Sequence, residues 1–383
     1  MDAPTPTRRR DRRRPPAGQR TVDVDVAVIG AGQAGLCAAH HLRRAGLAAI
    51  GSLGWQDAAA TFVVLDDSPA PGGAWQLRWP GLTMAAAHRA HTLPGMPLSV
   101  PDAEASAASA VPAYFAQYED AFALHVQRPV HVRAVRRDGD RFAVESRHVR
   151  LPDEQVTFRA RALISATGSW GKPFWPVYPG RDSFIGRQLH ARDYRTPAEL
   201  ADGPVVVVGG GASAVHIVAE LSAVTPTCWV TRNPPRIDPR DRTPAVEAAA
   251  AAGAMVARPM FERIGARGVW FAPWEPGDAG AADGGAADGG TDDDGTGGAG
   301  TGWVDGPPFV AAGAIVWATG FRPSLGHLAP LHLRTPGGPL HLDGGAVVAE
   351  PRVLVIGSAA GGAQGCGAET SEAVRDLLAR LGP

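Results

Sequence analysis

Cysteine is scarce. The 383 residues contain three, Cys37, Cys228 and Cys366, far apart in the chain. No Cys-x-x-Cys pair exists, so neither a redox dithiol nor a zinc knuckle is supported, and no metal site is assigned. An odd count without a secretory leader fits a reducing, cytoplasmic setting. Long apolar runs are also missing, and none approaches the ~20 residues that span a bilayer. Nor does one sign of charge dominate: 37 basic and 38 acidic residues leave a net charge of −1. No overall field therefore favours nucleic acid or a membrane surface. The local exception is residues 1–20, with arginine triplets at Arg8–Arg10 and Arg12–Arg14. A twin-arginine export signal would continue into an apolar segment, whereas here Pro15-Pro16-Ala17-Gly18 follows, so the stretch reads as a disordered basic tail.

What the chain has in plenty is glycine, and one glycine-rich stretch organises the rest. Val24, Val26, Ala27, Val28 and Ile29 predict a buried parallel strand. It runs into Gly30-Ala31-Gly32-Gln33-Ala34-Gly35, and a helical pattern follows as far as Gly46. A G-x-G-x-x-G between strand and helix is the context that dinucleotide binding requires. Gly30 permits the tight turn, Gly32 the close approach of a pyrophosphate, and Gly35 the packing of helix on strand. Gln33 and Ala34 open the helix, whose free N–H groups and positive end attract phosphate.

The next strand, Thr61 to Leu65, ends in Asp66, a carboxylate suited to the adenosine ribose hydroxyls although it lies beyond the usual ~20-residue spacing. Leu47 to Ile50 ends in Gly51 with no acid, so residues 48–60 are read as an insertion. In Pro71-Gly72-Gly73-Ala74-Trp75, Gly73 allows close approach and Trp75 can cover a cofactor ring. The irregular stretch from Trp79 to Pro97 holds His88, Arg89 and His91, read as structural rather than catalytic. Val111 to Leu124 predicts a helix with Tyr114, Phe115, Tyr118 and Phe122 on its core side, and residues 130–146 a hairpin turning at Asp138-Gly139-Asp140.

Two strands end in the same tripeptide. Ala162 to Ser165 leads to Ala166-Thr167-Gly168, and Ala314 to Trp317 leads to Ala318-Thr319-Gly320. Between them Val205 to Val208 runs into Gly209-Gly210-Gly211-Ala212-Ser213-Ala214, a G-x-G-x-x-A whose closing alanine still packs tightly. Ser213 is no nucleophile elbow, since Val215 stands where glycine is needed, and reads as a phosphate hydrogen-bond donor. The following strand, Cys228 to Arg232, ends in a base. Arginine there suits a 2′-phosphate, which points to NADP(H) at the second motif and FAD at the first. Gly277 to Gly302 is low-complexity Gly/Ala/Asp/Thr and predicts disorder. Val353 to Ser358, containing Gly357, predicts a last strand before a terminal helix from Glu369 to Leu381.

Phe184-Ile185-Gly186-Arg187-Gln188-Leu189-His190-Ala191-Arg192-Asp193-Tyr194 matches F-x-G-x-x-x-H-x-x-x-Y. This resembles the fingerprint of flavin-containing monooxygenases and related class B flavoproteins, and it stands between the two dinucleotide motifs as in that family. The segment Ala318 to Phe321 resembles the family's downstream ATG-aromatic signature. The resemblance implies FAD and NADPH as cofactors, dioxygen and a small organic molecule as substrates, and oxygen transfer through a C4a-(hydro)peroxyflavin sheltered by NADP⁺. It implies a structural or NADP-coupling role for His190, placed in the linker between domains, and assigns no catalytic base. Tyr194, where Baeyer–Villiger members favour tryptophan, leans towards oxygenation of nitrogen or sulfur. Many such members carry an asparagine beside the flavin, and the comparable stretch here, Leu82 to Ala87, has none.

The expected architecture is α/β, with two Rossmann-like dinucleotide-binding domains. The FAD domain is discontinuous (residues 21–172 and 326–383), with an NADP domain (173–325) inserted after the first Ala-Thr-Gly. The expected function is NADPH-dependent, FAD-containing monooxygenation. Two alternatives stay open: an NADPH:acceptor oxidoreductase or oxidase that inserts no oxygen, and a nucleotide-binding regulator with little turnover. Nothing in the sequence sets an oligomeric state.

Overall fold

The structure, a computed structural model, describes residues 20–87, 92–99, 102–151, 153–273, 303–335, 338–357 and 368–382. The basic tail up to residue 19, His88, Arg89, His91, Cys366 and the low-complexity tract at 277–302 lie outside the described residues.

The first unit begins with β1 (Arg20–Ile29), whose last four residues are buried without a break, and α1 (Gln33–Arg44). There follow β2 (Ala48–Ala49), β3 (Thr61–Leu65), α2 (Ala107–Ala121), β4 (Val130–Asp138), β5 (Arg141–His148) and β6 (Gln155–Ser165). The chain then builds β7 (Arg187–His190), β8 (Val205–Val208), α3 (Ala212–Ser222), β9 (Thr227–Val230), α4 (Pro244–Ala251) and β10 (Ala257–Arg258). A small antiparallel sheet of β11 (Arg263–Gly265), β12 (Gly268–Trp270) and β13 (Phe309–Ala311) precedes β14 (Ala314–Trp317). Last come β15 (Leu342–Asp343), β16 (Ala346–Val347), β17 (Glu350–Val355) and α5 (Ala368–Leu381).

Among the described residues the larger sheet runs β15-β16-β17-β6-β1-β3-β2, with the β4–β5 hairpin attached to β6. Its central strands β17, β6, β1, β3 and β2 are parallel. The second sheet runs β10-β9-β8-β14-β7, parallel throughout. This is the expected doubly wound α/β architecture. The first unit is discontinuous, since β17 returns to pair with β6 after the second sheet is complete.

Three local expectations are corrected. The segment at 48–60 is not a plain insertion, because β2 within it pairs in parallel with β3 as the edge of the sheet. Two residues are too few to show strand alternation in a sequence. His190 is not in a linker but closes β7, its register partner in β14 being Trp317. The strand expected through Arg232 stops at Val230. Thr231 is fully buried and donates its N–H to Arg258 O, so Arg232 begins the exposed loop beyond.

One carboxylate joins the two units. Glu220, on α3, accepts from Trp79 Nε1 at 2.8 Å through one oxygen and from the Tyr194 hydroxyl at 2.8 Å through the other. Trp79 is 2% and Tyr194 1% exposed, and their rings meet edge to face. Burial, then the adjacent Glu220 charge, pushes the Tyr194 phenol far up from its ordinary value, so it remains a donor. Trp79, Leu82 and Tyr194 belong to the apolar cluster that also contains Val26 of the first sheet and Val207 of the second. Glu220→Ala would leave two buried donors without an acceptor, at ~1–3 kcal/mol each. The expected loss of folding stability is ~2–5 kcal/mol, read from urea unfolding midpoints. A loss below ~0.5 kcal/mol would show that the two donors find other acceptors.

Candidate functional site

The parallel registers bring four strand ends to one line. Ile29 pairs with Leu65 and with Ser165, and Ser165 with Val355. Each strand therefore delivers its next residues to the same crevice. There, a cavity of about 810 Å³ is lined by Gly30, Gly32, Gln33, Ala34, Asp66, Gly73, Trp75, Thr167, Gly168 and Gly357. Gly30 has φ +101°, and a Cβ on it would stand 2.5 Å from Ala166 O. Gly35 faces inward, where a Cβ would lie 1.9 Å from Gly30 O. Gly32 is the opposite case: a Cβ there meets nothing within 4 Å, since it faces the cavity. The first turn of α1 carries no acid and its last turn carries His41, Arg43 and Arg44, so the helix charge pattern leaves a positive N-terminus facing this space.

Asp66 is braced from behind. Its Oδ2 accepts from Arg128 Nε at 3.1 Å, and Arg128 also donates twice to Glu119, at 2.6 and 2.7 Å. Asp66 Oδ1 accepts from the Ser68 N–H at 3.3 Å. Burial drives the Asp66 and Glu119 carboxyls up from the usual range, against the pull of Arg128, because one guanidinium serves two buried acids. At the other end of the cavity Trp170 stacks on Phe321 with centroids 4.9 Å apart, and the Arg78 guanidinium lies 4.5 Å from the Trp170 ring and 5.6 Å from that of Trp75. Thr167 donates to Ser324 O at 2.9 Å, closing the wall between them.

The second glycine motif repeats this construction. Gly209 has φ +137°, and a Cβ on it would stand 2.2 Å from Ala318 O. Ala214 is fully buried, and Gly211 and Ser213 stand at the partly open start of α3, which again has no acid in its first turn. Beside them a cavity of about 570 Å³ is lined by Gly210, Thr231, Arg232, Asn233 and Arg236. Gly209, Gly211, Ser213 and Ala214 adjoin this cavity without lining it.

His190, Thr319 and Gly320 line neither cavity. The His190 ring engages Gly320 O through Nε2 at 3.0 Å and the Arg192 N–H through Nδ1 at 3.1 Å. Burial lowers its pKa and holds it neutral, with Nε2 as donor and Nδ1 as acceptor. Thr319 donates its hydroxyl to Phe174 O, and Gly320 O accepts from the Phe174 N–H as well. These residues fasten the crossing between the units. Arg78, Arg128, Glu119, Trp170, Lys172 and Arg192 are site residues that sequence reasoning did not single out. Only their positions gave a signal: Trp170 and Lys172 lie within four residues of an Ala-Thr-Gly, and Arg192 lies inside the fingerprint.

Among solved structures, a flavin-containing monooxygenase from Stenotrophomonas maltophilia matches with a TM-score of 0.74 and 34% identity, covering 94% of this chain and 99% of that one. The chain belongs to the flavin-containing monooxygenase family. Residues 81–249 also match the family described as pyridine nucleotide-disulphide oxidoreductase. An oxidoreductase named CzcO from Bacillus velezensis is 27% identical over 211 residues, 55% of either chain. A Baeyer-Villiger monooxygenase from Streptomyces coelicolor is 32% identical over 201 residues, 52% of this chain and 36% of its own. The chain spans about half the length of the first curated relatives it matches.

As a member of the flavin-containing monooxygenase family, the protein is an FAD- and NADPH-binding flavoprotein. The cradle fits such groups: two acid-free helix starts, an open Gly32 and a cavity ending in a carboxylate. Neither described cysteine is suited to thiol chemistry, because Cys37 is fully buried and burial pushes the Cys228 thiol up to about 11. Among the described residues no cluster of three His, Cys, Asp or Glu is placed to hold a metal, and no helix is long and apolar enough to cross a membrane.

His327, in the cavity wall, sits 3.2 Å from Ser165 Oγ. Burial, aided by the nearby His131, pushes its imidazole down to about 4. The unfolded chain, with an ordinary histidine near 6.5, binds this proton first, so the stabilising contribution is full above pH ~6.5 and is lost as pH falls towards 4. By pH 5 the loss is ~2 kcal/mol. His327→Gln should flatten the fall in unfolding free energy between pH 7.5 and 5 by that amount. Identical slopes in urea titrations of the two proteins would show that His327 titrates in the fold as it does in the unfolded chain.

Proposed function

We propose that the protein is an NADPH-dependent, FAD-containing monooxygenase that transfers one atom of dioxygen to a soft nitrogen or sulfur of a small organic molecule. For a sulfide the balance is sulfide, O₂, NADPH and a proton giving sulfoxide, water and NADP⁺. The observation that carries this reading is the 34% identity to a flavin-containing monooxygenase over 99% of that protein's length. The flavin, when bound, supplies the redox and oxygen chemistry, and the protein supplies placement and shelter. In this reading the Gly30–Gly35 turn and the start of α1 receive the FAD pyrophosphate, and Asp66 accepts from the ribose hydroxyls while Arg128 holds it in place. Gly73, Thr167, Gly168 and Gly357 let main chain approach the cofactor, and Trp75 shields its ring. Gly209, Gly211, Ser213 and Ala214 form the turn for the NADPH pyrophosphate, and Arg232 meets the 2′-phosphate. His190, Thr319 and Gly320 hold the crossing rigid. Oxygenation at nitrogen or sulfur is preferred over the Baeyer–Villiger reaction because Tyr194 stands where that branch favours tryptophan.

Arg232 makes the coenzyme preference testable. It lines the second cavity and has no carboxylate partner among the described residues. A charge-assisted contact of about 1.5–3 kcal/mol corresponds to roughly ten- to a hundred-fold in affinity. Arg232→Ala should raise the dissociation constant for NADPH by that factor and leave the one for NADH within twofold. Equal binding of both coenzymes by the unaltered protein would remove the assignment.

The reaction itself is tested by rapid mixing. NADPH-reduced protein, mixed with dioxygen, should pass through an absorbance transient distinct from reduced and oxidised flavin. Its decay should slow when NADP⁺ is present, because a sheltered site keeps water away. Direct reoxidation, with hydrogen peroxide equal to NADPH consumed for every amine, sulfide and ketone tried, would make the protein an oxidase instead.

A further inference from the structure

The acidic lining residues of the large cavity, Asp66 and Asp67, stand together at the tip of β3, with His131 and Arg133 of β4 lining the same end. The opposite end, at the junction of the two units, is lined by Arg78, Lys172 and Arg192 and by no acid among the described residues. Lys172 is the only lysine in the sequence, and every other one of its 37 basic side chains is arginine. In a composition so biased, arginine stands wherever any cation suffices. A compact, rotatable ammonium differs from a planar guanidinium in what it recognises, so the one lysine marks a place where that difference is used.

The backbone fixes this end closely. Residues 168–172 and 321–324 run side by side: Ser324 N–H donates to Gly168 O at 2.9 Å and Arg322 N–H to Lys172 O at 2.8 Å. Arg192 comes from the other side, its N–H on His190, whose ring meets Phe321 at 5.0 Å. Neither Lys172 nor Arg192 makes a side-chain ion pair or hydrogen bond among the described residues. Two further polar groups, Trp170 Nε1 and Ser324 Oγ, are buried in this wall with no hydrogen-bond partner. Buried donors without acceptors cost free energy, and a ligand that supplies an anion recovers it while meeting the half-buried Arg192 guanidinium and the exposed Lys172 ammonium. The stacked Trp170 and Phe321 rings beside them present a flat apolar wall.

We propose that the junction end of the cavity is an oxyanion site, built from Lys172, Arg192, Trp170 Nε1 and Ser324 Oγ, for the carboxylate of a planar organic acid that carries the nitrogen or sulfur to be oxidised. Only the identity of the oxidised atom rests on the monooxygenase reading. The same oxyanion chemistry could be met by a phosphate of the coenzyme, and the test separates the two sources.

The probes are 4-(methylthio)benzoate and its neutral amide, titrated into oxidised, FAD-loaded protein and followed by the flavin spectrum and by calorimetry. No turnover is needed, so the result is independent of whether oxygen is inserted. The benzoate should bind at least tenfold more tightly than the amide, the ratio expected of a charge-assisted contact. The double variant K172A/R192A should retain its FAD, lose at least tenfold in benzoate affinity and change NADPH affinity by less than threefold. The single variant K172R should keep only part of the benzoate affinity of the unaltered protein. Equal binding of acid and amide, no binding of either, or benzoate affinity unmoved in the double variant overturns the proposal. So does a tenfold or larger loss of NADPH affinity in the double variant, which assigns the cations to the coenzyme.

Discussion

The hydrogen-bond ladder of each parallel sheet continues one step past its strands, and the site hangs on that step. Gly30 N–H donates to Leu65 O at 2.7 Å, Ala166 N–H to Ile29 O at 2.8 Å, and Ile356 N–H to Ser165 O at 3.0 Å. The glycine turn, the tripeptide after β6 and the end of β17 are thus fixed to one another by backbone before any side chain is considered. The second sheet repeats the arrangement, with Gly209 N–H on Val230 O, Ala318 N–H on Val208 O and Ala191 N–H on Trp317 O. Strands buried on both faces cannot slip, because a one-residue shift would turn every side chain to the other face. The positions of the cradle residues therefore inherit the rigidity of the core. The absence of a Cβ at Gly30 and Gly209 follows from the same step, since each turn lies directly against the main chain after a neighbouring strand.

The two units are held to each other by different means. The fingerprint places His190 on Gly320 O and Tyr194 on Glu220, so one short segment reaches both the end of β14 and the last turn of α3. Glu220 then reaches Trp79 of the first unit. The glycine turn at 209–211 opens the same helix that carries Glu220, so Trp79 and that turn are attached to one element. The two units are joined here by a carboxylate with one oxygen for each.

Much of this was readable from residue order. The strand–glycine–helix units, the acid after β3, the paired tripeptides and the returning last strand all rest on local patterns: continuous β-branched runs, glycine where the turn demands it, a charge at a strand tip. What could not be read was what depends on distance in sequence. Arg128 stands 62 residues from Asp66, and Glu220 141 residues from Trp79. Neither partner shows a local signature, because an arginine or glutamate on an element looks the same whether it faces water or a buried acceptor. The two-residue β2 and the end of β9 were missed for a related reason. Their limits are set by pairing with β3 and by the Thr231 bond to β10, not by their own composition.

The missing asparagine takes on a different meaning in three dimensions. The stretch Leu82 to Ala87 folds back on residues 103–106, with Met84 N–H on Ala105 O and Ala85 N–H on Ala103 O, and none of its residues lines the cavity. Leu82, Ala86 and Ala87 are buried in the core. An amide side chain at Leu82, Ala86 or Ala87 would displace core packing. The donors that face the junction end come instead from the segments after β6 and β14, as Trp170 Nε1 and Ser324 Oγ, and from the cations beside them. A neutral hydrogen bond is worth about 1 kcal/mol, and a bond to a charged group about 1.5–3. Negative charge at this end of the cavity therefore meets stronger partners than a single amide would supply, and it meets them on backbone segments fixed to each other through Gly168 O and Lys172 O.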